Sequence, residues 1–216
     1  SHILGGDLID FAPISHHIKN KLLQREGLRL IDDLTSGSNL LDVFGEGMDE
    51  KILIDSNHHE WIPAYIDAHP ELKGILDWET LAKDPKFSFK EWDIWIRKAG
   101  ENKILRWGDL VIRHGDKENL AAAARKFGKF LGGHHHKRLE FLRTIFIGPL
   151  CGLGPSYLAQ NVTAWQLQFA NLTRFNGVTS VSVKTVLYTE TKKVARFSYR
   201  DKIYEVPYYE LKGRDE

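Results

Sequence analysis

A single cysteine, Cys151, stands in 216 residues, so no intrachain disulfide can form and a zinc site built on several thiolates is excluded. Neither sign of charge is in excess. Thirty basic and 29 acidic residues leave a net charge near +1, which removes any global field that would steer the chain onto nucleic acid or an anionic membrane. No apolar run approaches the roughly 20 residues that a bilayer crossing needs. No basic segment followed by an apolar one opens the chain as a secretory leader would. The sequons Asn161-Val162-Thr163 and Asn171-Leu172-Thr173 therefore carry no weight, and the expectation is a soluble, cytoplasmic protein with no membrane partner. Internal repeats and low-complexity linkers are missing too. What is present is 42% hydrophobic, enough for one large core, and a single domain over residues 1–216 is expected.

Hydrophobic periodicity supplies the elements. Ile18, Leu22, Leu23, Leu28, Leu30, Ile31 and Leu34 recur among charged residues as in an amphipathic helix over 14–34, broken near Gly27. Lys51-Ile52-Leu53-Ile54-Asp55 has strand length and stops at Ser56-Asn57-His58. Leu110-Val111-Ile112-Arg113 stops in the same way at His114. Residues 118–130 read as a helix, after which Lys129-Phe130-Leu131 leads into Gly132-Gly133-His134. Strand, motif, helix, strand, motif is an α/β rhythm. Beyond it, Val178 to Tyr188 and Val194 to Val206 alternate apolar with polar residues as antiparallel strands, with a turn near Asp201.

Metal-ligand residue types fall at these strand ends, in Gly6-Asp7-Leu8-Ile9-Asp10, Ser56-Asn57-His58, His114-Gly115 and Gly133-His134-His135-His136. A carboxylate able to bridge two cations, an amide and several imidazoles suit a hydrolytic metal site. The two outer histidines of the last motif, two apart, would face one side on extended backbone. The order and spacing resemble the calcineurin-like metallophosphoesterases, whose pattern runs D-x-H, GD-x-x-D, GNH-[DE], a lone His-Gly and G-H-x-H. Softer similarity to enzymes of bacteriophages and mobile elements extends through His59 to Ile66, Pro70 to Gly74 and Gly148 to Tyr157. The first segment has no counterpart. The chain's one D-x-H, Asp67-Ala68-His69, stands in a helix-to-loop position, and the chain reads as a fragment whose first motif lies upstream.

The resemblance implies an α/β (α+β) fold, a two-sheet β-sandwich flanked by helices in four layers, with the first strand missing. It implies two divalent metal ions, Mn foremost, with Zn, Fe, Ni or Mg as alternatives. Asp7, Asn57, His114 and His134 would hold one ion; Asp7 and His136 would hold the other. Asp10 would support these ligands by hydrogen bonding. His58 would be the general acid that protonates the leaving oxygen. The family's acidic residue after that histidine is here His59, and its opening glycine is Ser56.

The expected function is hydrolysis of a phosphomonoester or phosphodiester, a nuclease being the specific version. The alternative is a catalytically impaired binding module that retains the fold. A mononuclear structural zinc protein fits least, since Cys151 stands alone. Trp78, Trp92, Trp95 and Trp107 lie near Lys83, Lys86, Lys90, Arg97, Lys98, Lys103 and Arg106, a mixture that can stack bases and contact phosphates. Core packing is the stronger reading of these tryptophans, as it is of Cys151. Oligomeric state is left open.

Overall fold

A computed structural model describes residues 1–16, 19–81, 83–95, 104–150, 165–189 and 194–207. Cys151, the segment up to Tyr157 and the basic residues Arg97, Lys98 and Lys103 lie outside them. The chain divides into two compact units, Ser1–Leu105 with Ile112–Lys117 and Arg106–Val111 with Glu118–Glu216. Each mixes helices and sheet, as an α/β or α+β chain does.

The first unit is built on a parallel three-stranded sheet, β1 (His2–Leu4), β2 (Lys51–Ile54) and β3 (Asp93–Trp95), with β2 in the middle. Leu4 pairs with Leu53 and Ile54 with Trp95. Parallel neighbours need crossovers, and helices supply them. After the short α1 (Leu22–Arg25), α2 (Leu30–Gly45) joins β1 to β2, while α3 (Trp61–Ala68) and α4 (Trp78–Leu81) lie between β2 and β3. Phe11, Leu41, Leu53, Ile62, Trp78, Phe89 and Trp92 form its core. Full burial of each such side chain contributes about 1.5–3 kcal/mol. Trp78 and Trp92 are thus core residues rather than a stacking surface.

The helix expected over 14–34 is corrected. A 3-10 turn at Ala12–Ile14 and the four-residue α1 precede a break at Gly27 (φ +75), and the long helix starts only at Leu30. Leu22 and Leu23 are 76% and 88% exposed, so the apolar repeat there lies mostly in water. The buried stripe of α2 is Leu34, Gly37, Ser38, Leu41 and Gly45, at helical spacing but largely of small residues. Asp32 and Asp33 favour its N-terminus, and Asp33 accepts the Ala12 N–H at 3.1 Å.

In the second unit, β4 (Leu105–Trp107), β5 (Leu110–Ile112), β6 (Lys129–Gly132), β7 (Leu139–Phe141) and β8 (Arg143–Phe146) form one sheet in the order β4-β5-β6-β8-β7. Helix α5 (Leu120–Phe127) links β5 to β6. The Asn119 side chain caps it by accepting the Ala122 N–H at 2.9 Å, and Gly128 ends it at φ +73. Strands β9 (Gln168–Phe175) and β10 (Val178–Thr185) make a hairpin on Asn176-Gly177. A meander of β11 (Leu187–Thr189), β12 (Val194–Tyr199) and β13 (Lys202–Pro207) turns at Arg200-Asp201. Both turns have positive φ at their two central residues, the twist two-residue hairpins prefer. Asp109 accepts from Lys129 Nζ and from Thr179 N–H, each at 2.8 Å, and these bonds hold its carboxyl well below the usual range.

Gly37 sets how closely α2 approaches the loop that carries Asp7. A Cβ there would lie 2.6 Å from Ile9 Cγ1. Gly37→Ala gains about 1 kcal/mol of helix propensity, but overpacking against buried Ile9 costs about 1–3 kcal/mol. A net loss of stability is expected, read as a lower midpoint in urea unfolding with unchanged slope.

Candidate metal centre

Three strand ends in the first unit bring ligand-type side chains to one place. Asp7 follows β1, Asn57 follows β2, and His114 follows Ile112, the last residue of β5. Because β1 and β2 run parallel, their carboxyl ends lie on one edge, where open α/β sheets gather ligands. The approach is close enough to demand glycine. A Cβ on Gly6 (φ +97) would stand 2.7 Å from His114 Nδ1 and 2.9 Å from Ser56 Cβ. Asp7 itself takes a left-handed φ of 50, a conformation that costs roughly 1 kcal/mol or more and tends to persist at functional sites.

His114 is nearly buried, and both of its ring nitrogens are engaged. Nδ1 stands 2.9 Å from the Gly5 carbonyl, which can only accept, so Nδ1 carries a proton. Nε2 faces two oxygens, Asp7 Oδ2 at 3.0 Å and Asn57 Oδ1 at 3.1 Å. A bare lone pair between two oxygens is repulsive, so this nitrogen needs either a proton or a cation in front of it. The other Asp7 oxygen, Oδ1, is buried with no hydrogen-bond partner among the described residues. Two oxygens and an imidazole nitrogen around one point, with a further orphaned oxygen beside them, are a donor set that fits a divalent transition metal.

Electrostatics follow the same geometry. Burial pushes Asp7 up, but the hydrogen bond and charge of His114, with the charge of His58, outweigh it and hold the carboxyl far below its ordinary value. Burial pushes His114 down, and the Asp7 bond and charge, aided by Gly5, lift it above 6.5. Without metal, and below pH 6.5, the two form a carboxylate–imidazolium pair.

His58 lies on a 3-10 turn, Asn57–Glu60. Its Nδ1 is 3.3 Å from Asp10 Oδ1 and 3.9 Å from Asp7 Oδ1. Asp10 is thus the carboxylate nearer to His58 Nδ1, without a hydrogen bond between them. His59 turns the other way, into the core. It is 2% exposed, with Nδ1 3.0 Å from Asp55 Oδ1 and its ring edge-on to Phe11 and Trp78. The Asp55–His59 pair was not anticipated, although the four-residue spacing is visible in the sequence. Trp61, stacked on His58, carried no signal beyond its position three residues on.

His134 and His136 belong to the second unit, in the loop after β6. Both take left-handed backbone, φ 64 and 57, so the extended-backbone expectation for this motif is corrected. His136 packs edge-on against Trp165 at 4.0 Å, while His135 meets Phe146 and reaches the Glu118 carbonyl at 3.2 Å. Asp67-Ala68-His69 stands at the end of α3, where His69 packs at a tilt against Tyr65.

No family model, curated protein or solved structure matches this chain. Among the described residues no helix is long and apolar enough to cross a membrane.

The Asp7–His114 pair makes a two-sided pH prediction for metal-free protein. Asp7, with its folded value depressed, contributes stability above 3.8 that is lost as pH falls through that folded value. His114, with its folded value raised, contributes below 6.5, and this is lost as pH rises through it. Thermal melts across pH 3 to 9 should therefore give a maximum between about 4 and 6.5, which flattens in Asp7→Asn.

Proposed function

We propose that this chain is a metal-dependent phosphoester hydrolase of calcineurin-like type, acting on a phosphodiester or phosphomonoester and most specifically a nuclease. One observation carries the reading: His114 Nε2 faces Asp7 Oδ2 and Asn57 Oδ1 at 3.0 and 3.1 Å, three donors of the expected types arriving from separate strand ends in the expected chain order. Asp7, Asn57 and His114 hold the first divalent ion, with His134 added by the order of the motifs. His136 and Asp7 serve a second, Mn being the preferred metal for both. The proposed fold is the four-layer, two-sheet sandwich of that family.

A divalent cation in such a centre supplies Lewis acidity to a phosphoryl oxygen and makes a water more acidic. The chain's own residues do the rest. The Gly5 carbonyl keeps the His114 proton on Nδ1 and turns Nε2 to the metal. Asp7 contributes the negative charge that holds the cation. His58, with Nδ1 toward Asp10, has Nε2 left to protonate the departing oxygen.

Calorimetric titration with Mn should show binding that is lost in Asp7→Asn. Hydrolysis of diphenyl phosphate, whose leaving group needs a proton, should fall about 100-fold or more in Mn in His58→Ala, with Mn content unchanged and the activated bis-p-nitrophenyl phosphate much less affected. Loss of the metal in His58→Ala would place His58 among the ligands. Tight Mn binding without hydrolysis would favour the binding module.

A further inference from the structure

Trp61 is no ligand type, yet its ring lies face to face with that of His58, centroids 4.3 Å apart and planes 22° from parallel. The cause is local. Asn57–Glu60 is a 3-10 turn, in which residues three apart eclipse along the axis. The Trp61 N–H donates back to the His58 carbonyl, so the two side chains leave the backbone one above the other. On the indole, His16 packs edge-on, 5.6 Å between centroids and 89° between planes.

What this stack adds is not supplied by the carboxylates. Asp10 and Asp7 lie 3.3 and 3.9 Å from Nδ1, but neither makes a hydrogen bond to it, so they do not set the ring plane. Rotation about the Cβ–Cγ bond is broad and roughly two-fold for histidine, so rotamer preference does not fix the ring plane. Neither does burial, since the His58 side chain keeps 18% of its surface exposed. A ring laid flat on an indole has its plane set by the stack, and that plane aims Nε2.

We infer that Trp61 is the positioning residue for His58: it sets the imidazole plane, and so the direction in which Nε2 presents its proton to the leaving oxygen. This inference rests on the phosphoesterase reading. Proton delivery to a leaving oxygen depends on hydrogen-bond reach and angle, so a tilted imidazole loses catalysis without losing substrate or metal. The loss falls on poor leaving groups, which need the proton, and spares activated ones, which do not.

Trp61 also packs against the core of its unit, and the test has to separate the two roles. Wild type, Trp61→Phe, Trp61→Leu and His58→Ala are compared. On metal-free protein, NMR should place the His58 ring protons upfield, identified by their loss in His58→Ala. The shift should persist in Trp61→Phe and collapse in Trp61→Leu. In Mn, Trp61→Leu should cut kcat on diphenyl phosphate by about tenfold or more while changing kcat on bis-p-nitrophenyl phosphate by about threefold or less, with Trp61→Phe restoring the first. An ordinary His58 shift in wild type, or equal losses on the two esters, would overturn the positioning role and leave the phosphoesterase reading standing. A wild type that turns over neither ester overturns that reading, and the role of Trp61 in proton delivery with it.

Discussion

His114 gives its Nδ1 proton to the Gly5 carbonyl, and that bond decides what every group around it can be. With Nδ1 committed, the ring cannot rotate, and the state of Nε2 is the one variable left. Protonated, it makes His114 the cationic partner of Asp7. Deprotonated, it presents a lone pair to a point already bordered by Asp7 and Asn57. A proton and a divalent cation would therefore compete for one location. Gly6 is part of the same constraint, because any side chain there would fill the space in which the imidazole lies.

Strand ends were the legible part of this chain. Lys51–Ile54 and Leu110–Ile112 are short apolar runs that stop where a ligand type begins, and both form as expected. So does α5 with β6 after it, and so does the turn at Asp201. Helix α2 was hidden because its contact surface is made of Gly37, Ser38 and Gly45, small residues that pack by letting the neighbouring chain approach, which a count of apolar residues does not register. The exposed leucines of α1 gave the opposite error, an apolar repeat with no face to cover.

At the candidate centre the types of side chain were legible and their partnerships were not. Asp7, Asn57 and His114 could be named from order along the chain. Which carboxylate serves which histidine depends on turns of two or three residues that spacing leaves undetermined. Asp10 goes to His58, Asp55 goes to His59, and adjacent histidines in the sequence end up in opposite environments, one at the centre and one among Phe11 and Trp78. A 3-10 turn alternates its side chains by about 120°, enough to send neighbours apart. In the His134–His136 loop, left-handed backbone replaces the straight segment that a two-residue spacing suggests.

Strand β13 is exposed at all six positions, with Ile203 at 78% and Val206 at 52%, and it lies at the edge of its sheet among the described residues. Such an edge is a template onto which a foreign strand can add. Its two ends oppose that. Lys202 places a charge at one, which would have to be desolvated, and Pro207 offers no N–H at the other. The run between them is four residues, shorter than the segments that nucleate cross-β stacking. The hairpin thus keeps an apolar surface in water while its flanks guard it against self-association.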